Sequence, residues 1–172
     1  MPRPSLATLV VVLVAVSTAL FVILDRPDEE PAPTGPSLMD REQMLAEYHQ
    51  LADRYPHPLP DGVRFPATLP APGQPTVYEV GEGRNQADSF WICAWIGEWL
   101  AVRSEPGNRA AIAWSWLQRA DETQLHREHY DDPRDVWHQQ ILGPAGRGDV
   151  RSLREFYSTS CGYEGLRPAG SD

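Results

Sequence analysis

The stretch from Asn85 to Ser104, NQADSFWICAWIGEWLAVRS, decides the fold of this chain. Its middle, Phe90 to Val102, is almost free of polar residues and holds Trp91, Trp95 and Trp99, half of the tryptophans, with one of two cysteines, Cys93. Thirteen apolar residues are too few to cross a hydrocarbon layer of about 30 Å, and Glu98 lies among them, so the pattern predicts a buried core helix and not a membrane span. Asn85 is the expected cap, with Asp88 at the third position. At about 100° per residue the helix separates two faces. Trp91, Trp95, Glu98, Trp99 and Val102 share one, while Cys93, Gly97 and Ala101 mark the other, where small side chains let a neighbouring backbone approach.

Toward the C-terminus, the short polar loop SEPGNR (Ser104 to Arg109) predicts an antiparallel partner helix opening at Glu105 or Asn108. Ala110, Ala113, Trp114, Leu117 and Ala120 form its apolar face, widened by Ile112 and Trp116, and the helix extends as far as Tyr130 if uninterrupted. Asp132-Pro133 signals a further helix, with Val136, Trp137, Ile141 and Leu142 inward and Gly143-Pro144 as its stop. Gly143 to Gly148 reads as a loop, and Asp149 as the cap of a last helix presenting Val150, Leu153, Phe156 and Tyr157. Cys161 follows it. Two cysteines in a chain bound for an oxidising compartment predict a Cys93–Cys161 disulfide, closing a loop of nearly seventy residues; two buried thiols are the alternative.

Toward the N-terminus, Gly81-Glu82-Gly83 reads as a turn, and Thr76 to Val80, TVYEV, as a strand-like segment with no evident partner. Pro56 to Pro75 carries seven prolines, which bar helix and inner strand, so the segment is expected to wrap the helices as an irregular belt held by Leu59, Val63, Phe65 and Leu69. Before it, Met44, Leu45, Tyr48, Leu51, Ala52 and Tyr55 recur at helical spacing. Ser37 is the expected start, with Asp40 as capping partner, and Pro56 the end.

Leu6 to Leu24 is an uncharged run long enough for about 28 Å of helix, which predicts an N-terminal transmembrane signal-anchor over residues 1–24. A cleaved signal peptide with Ser17-Thr18-Ala19 at the cleavage site is the competing reading; against it, the apolar run continues through Leu24. Residues 25–36 form a proline- and acid-rich linker, and residues 37–172 an extracytoplasmic helical domain, with the short N-terminal tail cytoplasmic. The expected architecture is therefore mainly α: a membrane helix, a linker, then a bundle of about five helices with an irregular proline-rich segment and one disulfide.

From residue 25 onward 14 arginines face 24 Asp and Glu, a net charge of −10, and lysine is absent from the whole chain. Such acidity argues against binding nucleic acid or anionic lipid through this part.

Three constellations bear on chemistry. Glu122, His126 and His129 fall at helical i, i+4 and i+7 and could offer a divalent metal three ligands, though the spacing matches no zinc-protease motif and a wet helix face explains it equally. Glu98 against indoles suits a general acid, or pairs with Arg103 or Arg109. The Trp91, Trp95, Glu98, Trp99 face is either core or a platform for a partner, and is the first surface to test. Arg147-Gly148-Asp149 spells an adhesion tripeptide, but Asp149 has its own expected task at a helix start. No catalytic residue and no resident cofactor is identified. The expected function is that of an anchored envelope protein that binds another protein as an accessory or assembly subunit; the alternative is a metal-dependent or hydrolytic enzyme acting on envelope substrates.

Overall fold

A computed structural model describes residues 37–71, 76–129 and 136–166. The expected span, the linker and the Asp132-Pro133 helix start lie outside these residues. The described part is mainly helical with one disulfide. Among the described residues no helix is long and apolar enough to cross a membrane.

The chain enters on β1 (Leu38–Met39), followed by α1 (Arg41–Ala52). Ser37 does not cap α1. Asp40 does, in a reciprocal capping box: its carboxylate accepts from Gln43 N–H at 2.9 Å, and the Gln43 side chain accepts from Asp40 N–H at 3.0 Å. The three preceding residues are drawn off by a distant partner, because β1 pairs antiparallel with β2 (Tyr78–Glu79), Leu38 opposite Glu79 and Met39 opposite Tyr78. The segment TVYEV thus has the strand partner that local sequence did not reveal.

The central helix, α2 (Glu82–Val102), starts a turn earlier than Asn85, with Gly81 before it at φ 102°. Gly83, expected in a turn, lies inside the helix. A Cβ there would collide with the Met44 carbonyl and the Tyr48 amide, so glycine lets α1 press its backbone against α2. Glu47 holds the entry, accepting from Gly81 N–H at 2.9 Å.

A loop turning at Gly107 (φ 113°) reverses the chain into α3 (Arg109–Leu117), giving the expected antiparallel pair. Trp99 meets Trp114 at 4.9 Å between ring centroids, and Trp95 stacks on Trp116 at 5.9 Å. The helix does not run on to Tyr130. It gives way to a 3-10 turn (Ala120–Glu122), and Thr123 is extended (ψ 153°) before α4 (Gln124–His129). Thr123 causes the restart: its hydroxyl donates to Ala120 O at 2.6 Å and accepts from His126 N–H at 3.3 Å, closing one helix end and capping the next.

Trp137–Leu142 is a π-helical stretch, and Gly143-Pro144 does not end it, because the chain continues into α5 (Gly143–Gly146). A Cβ on Gly143 would lie 2.6 Å from His138 O, so the wider π turn depends on glycine; Pro144 lacks the N–H that a regular turn would use. In α6 (Arg151–Ser160) Val150 stands at the cap position, one residue after Asp149, whose carboxylate accepts from Arg151 N–H at 3.3 Å.

Two apolar clusters meet on α2. The larger joins Trp91, Ile92, Trp95, Ile96 and Leu100 to α3, the π segment and α6; the smaller joins Met39, Met44, Tyr48, Leu69 and Ala87 under α1 and the ribbon.

Candidate functional site

The disulfide joins Cys93 to Cys161 with Cα atoms 5.4 Å apart, tying α6 to the small-residue face of α2. On that face Tyr157 lies over Gly97, where a Cβ would fall 2.6 Å from the phenol oxygen. Ala101 is exposed beyond the contact.

Trp91, Trp95, Glu98 and Trp99 are all buried, so the structure puts the first surface the sequence offered for testing into the interior. The belt and α3 cover it together, α3 over Trp99 and Glu98 and the belt over Trp91 and Trp95. The Trp91 and Trp95 indoles both donate to Pro58 O, at 2.8 and 3.1 Å, and His57 rests on the Trp91 ring at 5.4 Å. Further along, Tyr48 Oη donates to Pro66 O at 3.0 Å and Arg41 to Leu69 O at 2.7 Å. A proline-rich strand has few N–H donors but keeps every carbonyl, and helix side chains use those carbonyls. Of the residues expected to pin the belt, Leu69 is buried, Leu59 and Phe65 pack on the core, and Val63 is half-buried. Glu98 pairs with Arg109 at 2.7 Å across the α2–α3 loop. That is one of the two arginines the sequence offered, and the contact is structural in character.

Glu122, His126 and His129 do not form a stripe, because the break at Thr123 removes the helical register they need. Glu122 is exposed and bound twice by Arg119, at 2.9 and 2.7 Å, and that hydrogen-bonded guanidinium holds its carboxyl below the usual range. His126 instead packs edge-on against Trp137 at 5.4 Å. His129 closes α4, and its side chain is not among those described. No metal-binding group of His, Cys, Asp and Glu occurs among the described residues. His126 does line a cavity of about 100 Å³ with Ser89, Leu125, Trp137, Phe156 and Ser160.

Two wider concavities lie elsewhere, beside the ribbon. One cleft of about 440 Å³ is lined by Arg41, Met44, Leu69, Tyr78, Gln86 and Tyr163, among others. Another of about 430 Å³ runs along Val77, Tyr78 and Glu79 and is floored by Glu82, Asn85, Gln86, Ser89 and Leu125. Tyr78 and Gln86 line both, so the two adjoin, as two arms of a groove on either side of these residues. Of its floor residues, Glu82, Asn85, Gln86 and Ser89 fall at i, i+3, i+4 and i+7 of α2, a polar stripe, and Leu125 comes from α4. Gln86 is fixed from two sides, donating to Glu82 at 2.7 Å and accepting from Tyr163 Oη at 3.0 Å. Burial pushes the Tyr163 phenol above its ordinary pKa, which keeps it the donor. Above the groove the ribbon is apolar and exposed. Leu38, Val77 and Val80 are 61%, 68% and 60% accessible, three of the four exposed large hydrophobic residues described, with Ile112 the fourth.

The sequence marks this groove only by the polar stripe Glu82, Asn85, Gln86 and Ser89, and only when the helix starts at Glu82. Its walls come from α1, β2, the belt's end and the residues on either side of Cys161, and their meeting is not local. No family model, no curated protein and no solved structure matches the chain.

Proposed function

We propose that this chain is a membrane-anchored, extracytoplasmic protein-binding subunit of the cell envelope, held by residues 6–24 and engaging another protein through the ribbon and its groove. The observation that carries the reading is the exposure of Leu38 and Val77 on one face of the ribbon beside a wide groove, while the tryptophans are covered. Exposed apolar side chains scattered singly need no explanation, but two on one face of a short ribbon that borders a groove mark a surface that a partner would cover.

The test is site-specific photo-crosslinking of the full-length chain in its native envelope, with the reactive side chain at Val77 or, as control, at Ile112. A defined adduct at Val77, absent at Ile112 and lost on Leu38→Asp, is the expected result. No adduct at Val77, or the same adducts from both positions, rejects the proposal.

A further inference from the structure

Resting on that reading, we infer that β2 accepts an extended, basic and apolar segment of the partner as a third strand. The register of the ribbon sets the geometry. Val80 N–H donates to Ser37 O at 3.0 Å, which makes Ser37 and Val80 a hydrogen-bonded row. Rows alternate in an antiparallel ladder, so the next pair, Leu38 and Glu79, is a non-hydrogen-bonded row. The N–H and C=O of Glu79 therefore point away from β1.

That side of β2 is where the 430 Å³ arm of the groove lies. It is lined by Val77, Tyr78 and Glu79 and by Glu82, Gln86 and Ser89 of α2, and by no residue of β1. A strand laid there would meet the outward peptide groups of β2, rest one set of alternate side chains on the groove floor, and cover Val77.

Charge selects among occupants. Glu79 and Glu82 line this arm, and among the described residues no cationic side chain does. A second copy of this chain would bring a part of net charge −10, residues 25–172, against them, and anionic lipid would bring like charge as well. A segment alternating basic and apolar residues supplies opposite charge to the two glutamates and apolar contact to Val77.

The test uses the full-length chain in detergent micelles and a fluorescent eight-residue peptide of alternating lysine and valine. Its controls are the same peptide N-methylated at alternate residues, which keeps the charge and removes one edge of donors, and an alternating glutamate–valine peptide. Expected are binding by the first peptide, affinity about tenfold weaker for the N-methylated form, roughly what one or two hydrogen bonds supply, no binding by the acidic form, and slowed hydrogen exchange at the Glu79 amide. Glu79→Gln with Glu82→Gln should weaken binding without altering the melting temperature. Equal binding by the N-methylated peptide, unchanged exchange at Glu79, or no binding by the lysine–valine peptide overturns the inference. If any of these is found while the Val77 adduct persists, the partner docks in another way and the protein-binding proposal stands. If the adduct is absent, that proposal falls by its own test.

Discussion

The two faces of α2 are closed by opposite means. Around Cys93 and Gly97 the helix meets another helix almost backbone to side chain, with Tyr157 over the glycine and a covalent bond to Cys161. Around Trp91 and Trp95 it meets a strand of prolines that offers chiefly carbonyls, and the indoles donate to one of them. The first closure uses small residues and one bond that holds whatever the packing does. The second spreads its hold over hydrogen bonds and broad aromatic contact, and each part depends on the others. A staple should therefore fail by loosening the whole chain, and a belt by local opening.

Cutting the staple should have the largest effect. The cysteines are 68 residues apart, and constraint of the unfolded chain over such a loop is worth about 4 kcal/mol. Cys93→Ala with Cys161→Ala, compared with wild type in urea at neutral pH, should lose that much, with tryptophan fluorescence and far-ultraviolet circular dichroism still changing together. A loss under about 1 kcal/mol would mean that α6 docks as well without its bond.

Loosening the belt comes next. Replacing both Trp91 and Trp95 by Phe removes two indole donors from Pro58 O and leaves unfilled volume, for a loss of about 3 kcal/mol. Because both donate to one carbonyl, the single variants should each lose well under half of it, the remaining indole still satisfying Pro58. Strict additivity would show that the belt is held by contact area and not by the shared carbonyl.

The same contrast governs what can be read from the residues alone. The core helix and its disulfide partner are legible because an apolar run and a pair of cysteines are signals independent of the rest. The belt is legible as a proline count. Its attachment is not, since nothing in the residues around Pro58 says which indole will reach its carbonyl. The start of α1 and the ribbon were missed for a related reason: Ser37 and Asp40 are both good caps, and the choice is made by pairing of Leu38–Met39 with residues forty positions away. For the groove, Glu82, Asn85, Gln86 and Ser89 form a polar stripe only when the helix starts at Glu82; with Glu82 read in a turn and Asn85 as a cap, the spacing shows no stripe. The stripe of Glu122, His126 and His129 assumes helical periodicity across a break that Thr123 makes with one hydroxyl.

A smaller change tests how tightly the stapled face is packed. Gly97→Ala would force its Cβ against the Tyr157 phenol, which Cys161, four residues on, holds close; overpacking of this kind costs about 2 kcal/mol. With the disulfide reduced, α6 is freer to shift, and the loss from Gly97→Ala should shrink. Equal losses in oxidised and reduced protein would show that packing, and not the bond, fixes the position of Tyr157.

The smallest effect at neutral pH, and the most diagnostic away from it, belongs to the belted side. Tyr55 donates to the buried Asp88 carboxylate at 2.6 Å, and Asp88 also accepts from Leu125 N–H at 2.9 Å, so one carboxylate joins the end of α1 to α2 and the start of α4. Tyr55→Phe leaves Asp88 its backbone donor and should cost about 1.5 kcal/mol at pH 7. Burial first, and then the Asp88 charge and hydrogen bond, raise the Tyr55 phenol far above its ordinary pKa of 10. Only the unfolded chain then releases the proton near pH 10, so the contribution of Tyr55 is complete below that pH and declines as pH rises toward the folded value. Stability measured from pH 8 to 11.5 should fall less steeply in Tyr55→Phe than in wild type. Tyr48, Tyr157 and Tyr163, which burial also raises, should account for the slope that remains. Should the two curves run parallel, Tyr55 ionises alike in both states and the Asp88 junction is open to water. The belted face would then be looser than its hydrogen bonds imply, and the staple would be the main restraint on α2.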